Sequence, residues 1–148
     1  MTNEINIKLI GLDDLKLLRR FVNELGGARL HFRYFSSRPL NVILNHLVTL
    51  LAVDSQNAPL AYGHLDVENN VVWLGVCVLP RYWGKGLGKS VVQRLLQEAV
   101  ERRVELVMLS VDSDNAHAIS LYTKLGFIFT EQRGDKLFFV WKSKTELS

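Results

Sequence analysis

A chain of 148 residues is long enough for one domain with its own core, and at 48% hydrophobic and 22% charged it does not read as disordered. The net charge of +3 comes from basic residues scattered along the chain, not from the concentrated stripe of a nucleic-acid binder; the longest apolar run, 71–79, is far short of the roughly 18 residues of a membrane span. One cysteine, Cys77, excludes an internal disulfide, and the start Met1-Thr2-Asn3-Glu4 lacks a secretion-signal layout, so the expectation is a cytoplasmic protein.

Ile5 to Ile10 alternates weakly and reads as a first strand. Asp13 is placed to cap a helix whose apolar positions Leu15, Leu18, Phe21 and Val22 recur at helical spacing, and Gly26-Gly27 ends it. Ala28 to Asn45, aromatic, basic and interrupted by Pro39, reads as a short helix or loop. Three strands follow, His46–Asp54, Leu60–Val67 and Val71–Leu79, joined by short turns rich in Asn, and they form an antiparallel meander. From Leu87 the period changes. Leu87, Val91, Val92, Leu95, Leu96, Ala99 and Val100 make one face of an amphipathic helix. Leu106–Val111 is a buried strand, Ala116–Lys124 a helix closed by Gly126, and 127–132 with 136–141 a hairpin around Arg133-Gly134-Asp135. The pattern predicts one α+β domain over 1–148 with no linker or repeat.

Between the third meander strand and the long helix lies Trp83-Gly84-Lys85-Gly86-Leu87-Gly88-Lys89-Ser90. Glycines at alternate positions let a backbone approach a ligand, and the helix adds unsatisfied N–H groups and the positive end of its dipole. Together these make a pyrophosphate cradle. Gly88-Lys89-Ser90 ends like a nucleoside-triphosphate loop, but such a loop needs glycine five positions before Gly88, where Trp83 stands.

Two blocks resemble the GNAT superfamily of N-acetyltransferases. The first is the superfamily's Gln/Arg-x-x-Gly-x-Gly/Ala motif, here Trp83 to Gly88, with Trp83 at the position where Gln or Arg is usual. The second is Asn115-Ala116-His117-Ala118-Ile119-Ser120-Leu121-Tyr122-Thr123-Lys124-Leu125-Gly126-Phe127, similar to the family's Asn-x-x-Ala-x-x-Leu-Tyr-x-x-x-Gly-Phe. The resemblance runs from about Leu47 to the C-terminus. It implies an α/β/α layered fold with a mixed central sheet of about 6–7 strands and about four helices, binding acetyl-CoA in the splay between two central strands.

It also implies roles. Val76, Cys77 and Val78 would run along the pantetheine arm by their backbone, with the Val78 N–H polarising the thioester carbonyl. Gly84, Lys85, Gly86, Leu87, Gly88, Lys89 and Ser90 would bind the pyrophosphate, and Asn115 would add a cofactor hydrogen bond while capping its helix. Tyr122 would protonate the leaving thiolate. For the base that relieves the attacking amine of its proton the candidate is His64, which titrates in a useful range, with Asp66 on the same strand face. Cys77 reads as a small core thiol, and the four histidines with Cys77 lack metal-ligand spacing, so no metal is expected. The expected activity is transfer of an acetyl group to a primary amine of a small molecule. The aromatic and basic residues of 28–45 (His31, Phe32, Arg33, Tyr34, Phe35, Arg38) lean towards an anionic or sugar-like acceptor. The alternatives are a protein or peptide acetyltransferase and a CoA-binding module without turnover. A monomer or homodimer is expected, with neither nucleic acid nor membrane as partner.

Overall fold

The structure, a computed structural model, describes residues 4–144; Met1 to Asn3, where a secretion signal was sought, and 145–148 lie outside it. Seven strands form one mixed sheet in the order β1-β2-β3-β4-β5-β7-β6. They are β1 (Asn6–Leu9), β2 (His46–Val53), β3 (Pro59–Glu68), β4 (Val71–Val78), β5 (Leu106–Asp112), β6 (Ile128–Arg133) and β7 (Lys136–Lys142). The meander expected from the turn chemistry is there: β2, β3 and β4 pair antiparallel in sequence. Positive φ at Asn69 and Asn70 (52° and 64°) turns β3 into β4. The helices are α1 (Leu15–Asn23), α2 (Leu87–Glu101) and α3 (Ala116–Lys124).

The sheet separates two cores. On one face Val91, Val92, Leu95 and Ala99 of α2 pack with Leu50, Ala61, Leu65, Leu74, Val107 and Leu109, and Tyr122 and Phe127 extend the cluster to α3. Each such side chain contributes about 1.5–3 kcal/mol by burial. Gly63 on β3 allows α2 to lie close, since a Cβ there would sit 2.5 Å from Val91 Cγ1. On the other face Leu18 and Phe21 of α1, and Leu25 just after it, pack with Leu51, Val53, Tyr62, Cys77 and Leu79. This is the α/β/α layering expected of the sequence.

Two local readings need adjustment. The residue that caps α1 is Asp14, one position later than expected, and its carboxylate accepts from the Gly11 N–H rather than from a helix amide. Residues 26–45 contain no α-helix; they form three short 3-10 turns, Gly26–Leu30, Tyr34–Ser36 and Leu40–Asn45. Such turns have no amphipathic period to read, which is why this stretch was opaque in the sequence.

Candidate active site

β4 and β5 run parallel, and a single register pair, Trp73 with Met108, joins them. Beyond it the two strands diverge, so residues 75–78 of β4 border a cleft instead of a neighbour. Which backbone groups face that cleft follows from the ladder with β3. The Leu79 N–H donates to the Leu60 carbonyl (3.0 Å), and Tyr62 is register partner of Cys77. In an antiparallel pair the bonded residues alternate, so Cys77 and Gly75 turn their polar groups to β3 while Val76 and Val78 turn theirs to the cleft. Of the three residues expected to run along a cofactor arm, two offer backbone groups and Cys77 does not. Trp83 has an identifiable partner too: its indole Nε1–H donates to the Val78 carbonyl at 2.8 Å, tying the loop back onto the end of β4.

The loop that follows is built on two obligatory glycines, not three. Gly84 and Gly86 both have φ of +78°, and a Cβ at either would meet nothing within 4 Å. It is backbone conformation, not crowding, that requires them. Gly88 lies inside α2, where a Cβ would make ordinary contacts with Val78 Cγ2 and Leu121 Cδ2 at 3.5 and 3.6 Å. The Ser90 N–H is the first helical amide to find its partner, the Gly86 carbonyl at 3.1 Å, and the Ser90 hydroxyl bonds the same oxygen at 3.2 Å. The amides of Leu87, Gly88 and Lys89 precede it and have no intrahelical partner. Leu87 buries its side chain in the core, whereas Gly84, Lys85, Gly86, Lys89 and Ser90 are exposed. Anionic ligand chemistry fits this arrangement.

Asn115 caps α3, its Oδ1 accepting from the Ala118 N–H at 3.3 Å, which leaves the side-chain NH2 as the part that can serve a ligand. Tyr122, 7% exposed, packs edge-on against Phe127 with ring centroids 5.7 Å apart. Burial, and secondarily the charge Cys77 would carry, hold its phenol well above the usual range, so it stays protonated. Burial alone pushes the Cys77 thiol up to about 12.

His64 lies on the face of α1. It is 3% exposed, and the Tyr62 hydroxyl meets its Nδ1 at 2.6 Å. Burial, then the neighbouring His46 and Arg38, hold its pKa well below the usual value, so the ring is neutral. Asp66, on the same strand face, accepts from the Tyr34 hydroxyl at 2.9 Å. Tyr34 also meets His46 Nε2 at 2.7 Å, and His46 Nδ1 meets Thr49 Oγ1 at 2.9 Å. Because ionised Asp66 can only accept, the chain has one consistent direction: Thr49 O–H to His46 Nδ1, His46 Nε2–H to Tyr34, Tyr34 O–H to Asp66. It fastens the 34–36 turn to the sheet.

Residues 26–33 cross the mouth of the cleft from the end of β4 to the end of β5, where Asp112 receives them. His31 Nδ1 lies 2.7 Å and Arg33 Nη2 3.4 Å from its carboxylate, and Lys136 Nζ of β7 binds it at 2.6 Å. Burial raises the Asp112 carboxyl, but hydrogen bonds from Lys136 and His31 and the Arg33 charge outweigh it and bring it down to about 2. A cavity of about 360 Å³ opens here, bordered by Leu30, His31, Arg33, Asp112, Asp114 and Asp135 among others. His31, Asp112 and Asp114 bring three donor atoms within 4.8 Å of one another, a grouping that sequence spacing hid. The cations already on Asp112 account for it as ion pairing. Arg29 and Arg38 are engaged within their own segment, Arg29 on the Val22 carbonyl and Arg38 on the Tyr34 carbonyl and ring. Sequence reasoning missed Asp112, Tyr62 and Gly75; a glycine inside an apolar strand was the one available signal, for Gly75.

The geometry agrees with what known proteins show. Over 66 residues the chain is 41% identical to spermine/spermidine N(1)-acetyltransferase of Bacillus subtilis, and over 61 residues 40% identical to [ribosomal protein bS18]-alanine N-acetyltransferase of Escherichia coli. These matches span 43% and 41% of either chain, less than half the length of the curated relatives. The fold matches yncA from Salmonella typhimurium, solved with its cofactor acetyl-CoA, at a TM-score of 0.77 and 18% identity over 98% of this chain and 97% of that one. The family model of the acetyltransferase (GNAT) family matches residues 18–127. The chain belongs to the acetyltransferase (GNAT) family.

Proposed function

We propose that the protein transfers an acetyl group from acetyl-CoA to a primary amine of a small molecule. The observation that carries this reading is the cleft beside Val76 and Val78, where the backbone groups of Val76 and the N–H of Val78 lead to the free amides of Leu87, Gly88 and Lys89. An arm ending in a pyrophosphate fits along that line, and the fold neighbour yncA was solved with acetyl-CoA. Gly84 to Ser90 hold the pyrophosphate, and the NH2 of Asn115 bonds the cofactor from α3. The amine attacks the thioester carbon in its neutral form, the C–N bond forms, and the Val78 N–H steadies the oxyanion. The C–S bond then breaks, Tyr122 gives its proton to the thiolate, and the proton that the new amide nitrogen sheds leaves through water, which also restores the phenol. Burial holds that phenol protonated, so its proton is in place when the thiolate departs. No metal is required by this chemistry.

His64, expected from the sequence to take the amine's proton, is neutral and on the acceptor side. The relatives' acceptors named above, a polyamine and a ribosomal protein's alanine, share an amine and little else. A small acceptor suits a site that residues 26–33 border, fastened to β5 through His31 and Arg33 on Asp112. The anionic or sugar-like acceptor rests on fewer cations than the sequence suggests, because Arg29 and Arg38 are engaged at home. A cytoplasmic location fits the unpaired cysteine and the substrate chemistry; among the described residues no helix is long and apolar enough to cross a membrane. The test is CoA release from acetyl-CoA across a panel of amines. Release with at least one amine supports the reading, and thermal stabilisation by ATP but not by acetyl-CoA would sink it.

A further inference from the structure

His64 and Gly75 are register partners across β3 and β4, and the imidazole lies over the glycine. A Cβ at Gly75 would stand 2.5 Å from His64 Nε2 and 2.7 Å from Cε1, so any other residue would drive the ring away. Gly75 is two residues past the last contact between β4 and β5, at the root of the cleft, and it is only half-buried. The ring thus takes the place a side chain would fill, which sets Nε2 over the β4 backbone at the root of the cleft. That nitrogen makes no hydrogen bond to a described residue, although the histidine is 97% buried by the complement of its 3% exposure. An unpartnered polar group inside a site normally has its partner in the ligand.

Which form of the ring faces the cleft follows from Tyr62. Its hydroxyl is fully buried and has His64 Nδ1 as its one partner among the described residues. A buried O–H without an acceptor costs about 1–3 kcal/mol, so the phenol donates to Nδ1. A neutral imidazole that accepts at Nδ1 carries its hydrogen on Nε2. The other neighbours, Tyr34 and His46, approach as rings at 4.3 and 4.6 Å between centroids and offer Nε2 no hydrogen bond.

We infer that His64 is a hydrogen-bond donor to the acceptor substrate and not its base: Tyr62 fixes the Nε2–H tautomer, Gly75 gives that N–H access to the cleft, and the N–H reads an oxygen next to the reacting amine. The acceptor class is then an amine with a hydroxyl or carbonyl oxygen beside it, as in an amino alcohol, rather than a plain alkyl polyamine. The inference rests on the acetyltransferase reading for its substrate, but not for its tautomer. His64 is the binding residue; Tyr62 and Gly75 are positioning residues that act through it.

Two measurements test it. In the free protein, 15N spectra of the imidazoles should show His64 with a protonated Nε2 and an unprotonated Nδ1. The reverse pattern overturns the inference whether or not any amine is acetylated. In turnover, 1-amino-2-propanol is compared with propylamine. The wild type should prefer the amino alcohol about tenfold or more in kcat/KM. His64→Gln, which keeps an N–H at the Nε2 position, should hold that ratio, whereas His64→Leu and Gly75→Ala should bring it near 1. A ratio undisturbed in His64→Leu overturns the inference. So does a His64→Gln protein as depleted as His64→Leu on both amines, the outcome a general base gives. Folding of each variant is checked by acetyl-CoA binding. If the wild type acetylates no amine, the acetyltransferase reading has failed, and the spectra still decide the tautomer.

Discussion

The cofactor side and the acceptor side of the cleft are built in opposite ways. The cofactor side is backbone: Val76 and Val78 at the edge of β4, two left-handed glycines, and three amides at the start of α2. The acceptor side is side chains brought together from afar, with His31 81 positions from Asp112 and Tyr34 32 positions from Asp66. A backbone site tolerates change at most side chains and binds what every relative binds. A side-chain site can change its ligand by single substitutions. The difference accounts for matches to relatives that cover about two fifths of the chain and differ in acceptor.

The comparison breaks if a cofactor-side side chain proves dispensable where chemistry needs it. Tyr122→Phe removes the hydroxyl proposed to protonate the thiolate and leaves the backbone cradle intact. Its kcat should fall by about 100-fold or more, while acetyl-CoA binds with unchanged Kd by calorimetry. Turnover close to wild type would assign the proton to water.

On the acceptor side the largest expected effect is at Asp112. Its carboxyl is depressed in the folded state, so the stabilisation it gives is present above the unfolded value near 4 and is lost as pH falls through about 2. The side chain is 13% exposed, and the shift corresponds to about 2 kcal/mol at most. Asp112→Asn should lower the melting temperature at pH 7 and converge with the wild type near pH 2. A constant difference across that range would mean that the carboxylate's charge is not what holds residues 26–33 to β5.

The glycines sharpen the comparison by about a factor of ten. Gly86→Ala places a Cβ at φ +78°, a conformation that costs roughly 1–2 kcal/mol, so acetyl-CoA affinity should weaken about tenfold. Gly88→Ala, in helical backbone with ordinary contacts, should change it less than about twofold, since alanine is the better helix former. Equal losses would show that the three glycines act alike.

What was legible in the sequence follows the same division. Strand and helix periods located all seven strands and α2 and α3 to within a residue or two; most of these elements bury one face on a local repeat, while β6, exposed along its length, was marked by the turn at Arg133-Gly134-Asp135. The cradle was legible because glycine is the usual residue where backbone turns left-handed, as at Gly84 and Gly86, with asparagine taking that role in the β3–β4 turn. Neither signal exists for residues 26–45, whose 3-10 turns are fixed by Phe32 and Phe35 packing on Tyr62, by Tyr34 packing on His64, and by Arg33 and His31 reaching Asp112. The tautomer of His64 was illegible for another reason: it depends on the bond from Tyr62 at Nδ1, which no sequence spacing announces.

Trp83 stands where these two kinds of construction meet, and it carries the smallest expected effect. Its position in the motif belongs to the backbone cradle, yet it works as a side chain, spending its N–H on the Val78 carbonyl at the cleft edge. Trp83→Phe keeps a ring and removes that donor. The ring is 56% exposed, so water can replace the lost bond and the expected loss is about 0.5–1 kcal/mol in chemical denaturation. Trp83→Gln restores an N–H donor of shorter reach. If it recovers the acetyl-CoA affinity lost in Trp83→Phe, the bond to Val78 matters to the cofactor through the loop. If both variants bind as the wild type does, Trp83 contributes only to the stability of the turn, and the cradle needs no side chain at its entrance.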